Sequence, residues 1–147
     1  MKKKILIILG SMLVVGIIGG IIGYYYYTKP IKNFVSSDAE IKINANALFQ
    51  EFINNETQAN SKFVSDDKTI QVEGLVRDIQ HSSDGAVTIN FYVSDSGGTV
   101  SCSLVKDEYS KASKYKDGMN IKIKGQCTGY QELIDKEVIM IRCGIVE

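Results

Sequence analysis

Residues 119–130, MNIKIKGQCTGY, decide the fold. Ile121, Ile123 and Cys127 fall on one parity and Lys122 and Lys124 on the other. This is the alternation of a half-buried strand. Gly125 stands in the middle of the run, where a glycine marks a bulge or a sharp bend. A strand that alternates and then bends suits a small closed barrel.

Working outward, three alternating runs precede this strand and one follows it. Residues 68–80 place Ile70, Val72, Gly74 and Val76 on one face, with Gly74 suited to a second bulge. Turn residues Ser82, Asp84 and Gly85 lead to a strand whose inner face is Val87, Ile89, Phe91 and Val93. The turn Asp95, Ser96, Gly97, Gly98 leads to Val100, Cys102 and Leu104. Residues 107–115 read as a short polar helix, acidic first and basic last, the charge order a helix dipole favours. After the central strand, residues 131–136 form a loop. The last strand sets Ile139, Ile141, Cys143 and Ile145 on one face and Val138, Met140 and Val146 on the other. Upstream, residues 44–60 read as one helix, capped by Asn44, with an apolar stripe of Leu48, Phe49, Phe52 and Ile53.

Three meandering strands, a helical connection and two further strands are the order of the oligonucleotide/oligosaccharide-binding (OB) fold, a five-stranded Greek-key barrel. The fold class expected is therefore mainly β: an OB barrel with an N-terminal helix and a short helix between strands three and four. The runs NANALFQEF, ETQANSKF, KTIQVEGLVRDI, IKGQCTGY and VIMIRCGIV resemble the bacterial OB-fold family labelled tRNA-anticodon-like, over about residues 43–146. The resemblance implies an OB fold with a leading helix, often behind a membrane anchor or a signal. It carries no catalytic residues, and its label reflects likeness of fold to nucleic-acid-binding domains.

The chain begins with Lys2–Lys4 and then runs uncharged from Ile5 to Gly23. Roughly 20 apolar residues span a bilayer core. Tyr24–Tyr27 follow, an aromatic cluster of the kind found at the water interface. A cleaved signal would show a shorter apolar run and a small-residue cleavage site, and no cysteine follows the run to carry a lipid. The expected domains are a transmembrane anchor at 1–27, a tether at 28–42 containing Pro30, and the barrel at 43–147. Lys2–Lys4 favour a cytoplasmic N-terminus, hence a single-pass inner-membrane protein with its barrel outside the cytoplasm.

Net charge is zero, but residues 34–147 hold 12 Lys+Arg against 17 Asp+Glu. That acidic balance disfavours nucleic acid as a partner, because phosphate neutralisation supplies most such affinity. A protein or an oligomeric ligand of another kind fits better. No cofactor motif is present, and one histidine and three unclustered cysteines exclude a structural zinc site. Cys102, Cys127 and Cys143 all fall on inward parity, where a free thiol packs as a small hydrophobe. In an OB barrel strand three runs beside strand five, so a Cys102–Cys143 disulfide is the competing reading in an oxidising compartment. His81 lies in a turn with no nucleophile at hand, so no catalysis is expected. OB barrels bind through strands two and three and the loops 1–2 and 4–5. Tyr92, Tyr130 and Arg77 are the candidate ligand residues on that surface, two aromatics and one cation.

Overall fold

The computed structural model describes residues 2–28, 32–95 and 97–146, without the side chains of 2–11 and 13. Pro30 of the expected tether and Ser96 of the hairpin turn lie outside the described residues. The chain divides into two compact units, Met1–Ile31 and Lys32–Glu147.

The first unit is a single helix, α1 (Lys2–Thr28), 27 residues long. Its described side chains are exposed. The expected span over residues 5–23 falls partly on side chains outside the described set. Among the described residues no helix is long and apolar enough to cross a membrane.

The second unit begins earlier than the sequence suggests. The tether expected to reach residue 42 is part of this unit from Lys32 onward. Phe34 is buried, and Lys32 bonds Glu40 at 2.9 Å. A short strand, β1 (Ile41–Asn44), pairs in parallel with the start of β2 (Ile70–His81). Two helices lie between them, α2 (Ala45–Asn54) and α3 (Glu56–Phe63). The single helix expected at 44–60 is thus broken, at Asn55, whose extended backbone lets its side chain accept from the N–H of Gln58. Asn44 does cap α2, accepting from the N–H of Asn46 at 2.9 Å. Leu48, Phe49 and Phe52 are buried as expected, but Ile53 is exposed.

The remaining strands are β3 (Val87–Phe91), β4 (Gly98–Leu104), β5 (Asn120–Glu132) and β6 (Lys136–Val146). A 3-10 turn (Lys106–Glu108) and α4 (Tyr109–Ala112) join β4 to β5. The sheet order is β1-β2-β3-β4-β6-β5, and β2 also pairs with β5. That last pairing closes a five-stranded barrel from β2 to β6, with β1 added outside it. The closed barrel with a parallel β4–β6 pair is the OB arrangement.

Closure depends on β2 serving two partners. Its first half, Ile70 to Leu75, pairs with β5, and its second half, Val76 to His81, pairs with β3. The irregularity falls at Arg77, between Val76 and Asp78, rather than at Gly74. Gly74 instead gives room: an added Cβ would lie 2.9 Å from the Ala45 Cβ and 3.0 Å from the Phe91 ring. Around Gly125 the β5–β6 register does shift, as a strand bending there requires.

One face assignment changes. In β6, Val138 and Met140 are buried while Ile139 and Ile141 are half-buried, the reverse of the expected parity. Arg142 adopts a left-handed backbone (φ 54°), and beyond it Cys143 and Ile145 point inward. Strict alternation misses this because a one-residue irregularity flips every later side chain.

Phe49 of α2 seals one end of the barrel against the backbone of β4. An added Cβ at Gly98 would lie 2.3 Å from the Phe49 ring, whereas one at neighbouring Gly97 meets only the Asp95 carboxylate at 3.7 Å. Gly98→Ala is expected to lower unfolding stability by about 1–3 kcal/mol through overpacking. Gly97→Ala should stay within about 0.5 kcal/mol of the parent. Urea unfolding of both variants checks the pair, and equal losses would contradict this account of the seal.

Candidate functional site

On the outer face of β2, β3 and β4, alternation ordinarily gives exposed polar residues. Here three of them are buried: Asn90, Thr99 and Ser101 are 3%, 4% and 6% exposed. The ladder register explains the row. Asp78 lies opposite Asn90, and Asn90 opposite Ser101. Their side chains continue the row as hydrogen bonds. Asn90 Nδ2 donates to Asp78 Oδ1 at 2.8 Å, and Ser101 Oγ donates to Asn90 Oδ1. Thr99 Oγ1 donates to the Phe91 carbonyl at 3.0 Å.

These three residues floor a hollow of about 220 Å³. Arg77 and Gln80 of β2 line it on one side, and Asp135 and Glu137, at and before the start of β6, on the other. Arg77 is placed by the irregularity in β2. Its Nε donates to Asp78 Oδ2 at 3.0 Å and its Nη1 to the Gly98 carbonyl at 3.2 Å. Burial pulls the Asp78 carboxyl upward, but hydrogen bonds from Asn90 and Arg77 outweigh it and hold the group below its ordinary value of 3.8. Opposite, Glu137 Oε2 accepts from Gln131 Nε2 at 2.7 Å.

A second hollow of similar volume lies over β1 and β2, lined by Lys42, Ile43, Asn44, Gln71 and Glu73. None of these residues is buried. It is a surface groove without a fixed polar floor.

Of the three candidate ligand residues, Arg77 lines the hollow. Tyr92 follows β3, half exposed, and its hydroxyl is hydrogen-bonded to Asp117, which raises its pKa. Tyr130 is spent on packing. Its ring stacks on Phe52 at 6.4 Å and meets Phe49 edge-on at 6.5 Å, and its hydroxyl donates to Glu132 at 3.0 Å. Burial first and Glu132 second push its hydroxyl up to about 12. The structure therefore does not join the three into one platform. Sequence reasoning missed Asn90, Thr99 and Ser101, although their outward parity was legible. What it lacked was the β4–β6 register, Gly98 opposite Lys136 and Thr99 opposite Glu137, which brings Asp135 and Glu137 alongside them.

The three cysteines are buried free thiols in this structure. The β4–β6 register shifts past Cys102, so Cys102 faces Met140 and Leu104 faces Cys143. The Cys102 and Cys143 thiols are hydrogen-bonded to each other diagonally, and burial raises Cys143. Burial pushes Cys127 up to about 11. Such thiols are inert as nucleophiles. His81 is exposed at the end of β2. Among the described residues no group of three or more His, Cys, Asp or Glu could hold a metal ion.

The model of the tRNA_anti-like family matches residues 1–145. The chain belongs to the tRNA_anti-like family. The family match takes in the N-terminal helix as well as the barrel. No curated protein matches this family member. Among solved structures, a lipoprotein of Klebsiella pneumoniae subsp. pneumoniae, for which nucleic-acid binding is suggested, is similar with a TM-score of 0.57 at 17% identity. The similarity covers 73% of this tRNA_anti-like chain and 92% of that one. Asparaginyl-tRNA synthetase of Entamoeba histolytica is similar over 54% of this chain and 20% of its own, at 15% identity and a TM-score of 0.38. The Stn1–Ten1 complex of S. pombe is similar over 54% and 58%, at 14% identity and the same score. At these identities the first likeness speaks for the fold alone.

Asn90 is the joint of the floor, bonded to both Asp78 and Ser101. Asn90→Ala is expected to destabilise the barrel by about 1–3 kcal/mol, because two polar groups lose their partner. Asp78 titrates low in the folded chain. Its contribution is therefore present above its unfolded value of about 4 and lost as pH falls through the folded value. In the Asn90→Ala chain this acid-side loss should shrink. Urea unfolding repeated across the acid range checks both, and an unchanged pH profile would place the depression elsewhere.

Proposed function

We propose that this tRNA_anti-like chain is a non-catalytic binding module, an OB barrel held at a membrane by its N-terminal helix and facing away from the cytoplasm. The observation that carries the binding role is the hollow with a buried, hydrogen-bonded polar floor on the outer β2–β3–β4 face. OB barrels take their ligands on that face. Concave sites with a few placed polar groups are the usual form of a ligand pocket.

The floor supports binding over catalysis. The Ser101 hydroxyl proton is directed at Asn90 Oδ1, an amide oxygen too weakly basic to remove it. The Thr99 proton is directed at a backbone carbonyl. A nucleophile needs a base in hydrogen-bond reach, and among the described hydrogen bonds neither hydroxyl meets one. For the tether, a helix of 27 residues is roughly 40 Å long at 1.5 Å per residue, enough for a bilayer core. The uncharged run of residues 5–23 and the lysines before it are the sequence features that favour insertion.

A second reading, single-stranded nucleic acid as the ligand, is favoured by the suggested role of the Klebsiella lipoprotein. The charge balance of residues 34–147 opposes it.

Amide-shift mapping on the full-length chain in detergent, against oligonucleotides, glycan fragments and divalent ions, tests the module. Shifts gathered on β2, β3 and β4 are expected. Shifts confined to other surfaces, or none with any probe, would overturn the assignment of this face. Alkaline extraction of cell membranes tests the tether: the chain should stay in the pellet, and its release would overturn membrane insertion.

A further inference from the structure

The hollow also carries information on which chemistry it accepts. Resting on the reading that this face takes the ligand, we propose that the hollow binds a neutral polyhydroxylated molecule, one saccharide ring of a glycan, and not a phosphodiester strand.

Charge is the first argument. One cation lines the hollow, Arg77, and its Nε is already bonded to Asp78. Asp135 and Glu137 stand across from it, and no cation bonds either carboxylate among the described ion pairs. The lysine between them in sequence, Lys136, is turned to Asp95 at 3.0 Å. A phosphate entering here would meet two carboxylates and a neutralised guanidinium. Nucleic-acid sites are built the other way, with unpaired Lys and Arg along the strand.

Hydrogen-bond capacity is the second. An asparagine amide has two donors, and Asn90 Nδ2 uses one on Asp78. A hydroxyl has two acceptor lone pairs, and Thr99 and Ser101 use their protons on other groups. Gln80 adds both a donor and an acceptor. Asp135 and Glu137 add carboxylate acceptors, a class that makes the stronger hydrogen bonds. The hollow thus offers donors and acceptors side by side. Vicinal hydroxyls, each able to give and to take a proton, match that mixture. A phosphate, which only accepts, does not.

Size is the third. About 220 Å³ lies below the roughly 300–1,000 Å³ of pockets that enclose drug-sized ligands. A hollow of that size has room for one small polar ring.

The test uses the full-length isotope-labelled chain in a detergent without a sugar headgroup. The probes are glucose, N-acetylglucosamine and an oligothymidine. A sugar is expected to move the amides of Asn90, Ser101 and Glu137, and oligothymidine to leave them in place. The double variant Asp135→Asn/Glu137→Gln, isosteric at two positions that are not buried, separates the ligand classes by sign. It should weaken the sugar about tenfold, by loss of charged acceptors. For a phosphodiester the same change would strengthen binding. Oligothymidine moving these amides, with tighter binding in the double variant, would overturn the ligand class and leave the binding face standing. Neither sugar nor oligothymidine moving them would overturn both.

Discussion

The barrel exists because one strand, β2, is hydrogen-bonded along its first half to β5 and along its second half to β3. Without that division the sheet would have open edges at β2 and β5. Just before the hand-over, Gly74 lets Ala45 and the Phe91 ring approach the backbone. The hand-over leaves the outer edge of the first half unpaired by β3, and β1 takes that place. Since β1 runs directly into the cap of α2, the extra strand also sets where α2 lies. From there Phe49 reaches Gly98 and Tyr130. Strand sharing, edge covering and end sealing are consequences of one bent strand.

The outer face inherits its character from the same bend. The irregularity at Arg77 takes one residue out of the ladder and lets its guanidinium lie over the face rather than away from it. It bonds Asp78 and the carbonyl of Gly98, so the strand that closes the barrel is also clipped to β4. Beneath it the polar row is buried because Arg77 covers one flank and the β6 start covers the other. Buried polar groups are tolerated when each finds a partner, and this row is satisfied end to end. A satisfied row is stiff, and a stiff row of donors and acceptors is what orients a small polar ligand.

Much of this was legible in the sequence. The inner faces of β2, β3, β4 and β5 follow strict alternation, and the helical turn between β4 and β5 marked the OB order. The misses share a cause, that a single residue departs from a regular period. The run IKIN alternates over four residues, too few to stand out from a tether, yet pairing with β2 makes it a strand. Asn55 breaks a helical stripe that continues on either side, because its own side chain caps the next helix. Arg142 inverts the parity of β6 through a left-handed backbone that a period of two cannot express. Tyr130 looks exposed from its loop-end position but is claimed by two phenylalanines of α2, an association across 78 or more residues that no local pattern records.

The two ends of the chain differ in charge as sharply as in hydropathy. Residues 1–33 hold five lysines and no acid, while residues 34–147 hold all the acids. An acidic unit of that kind repels polyanions. A site on such a body gains selectivity for uncharged polar ligands without any added contact, because the field of the whole unit has already discriminated against the anionic ones.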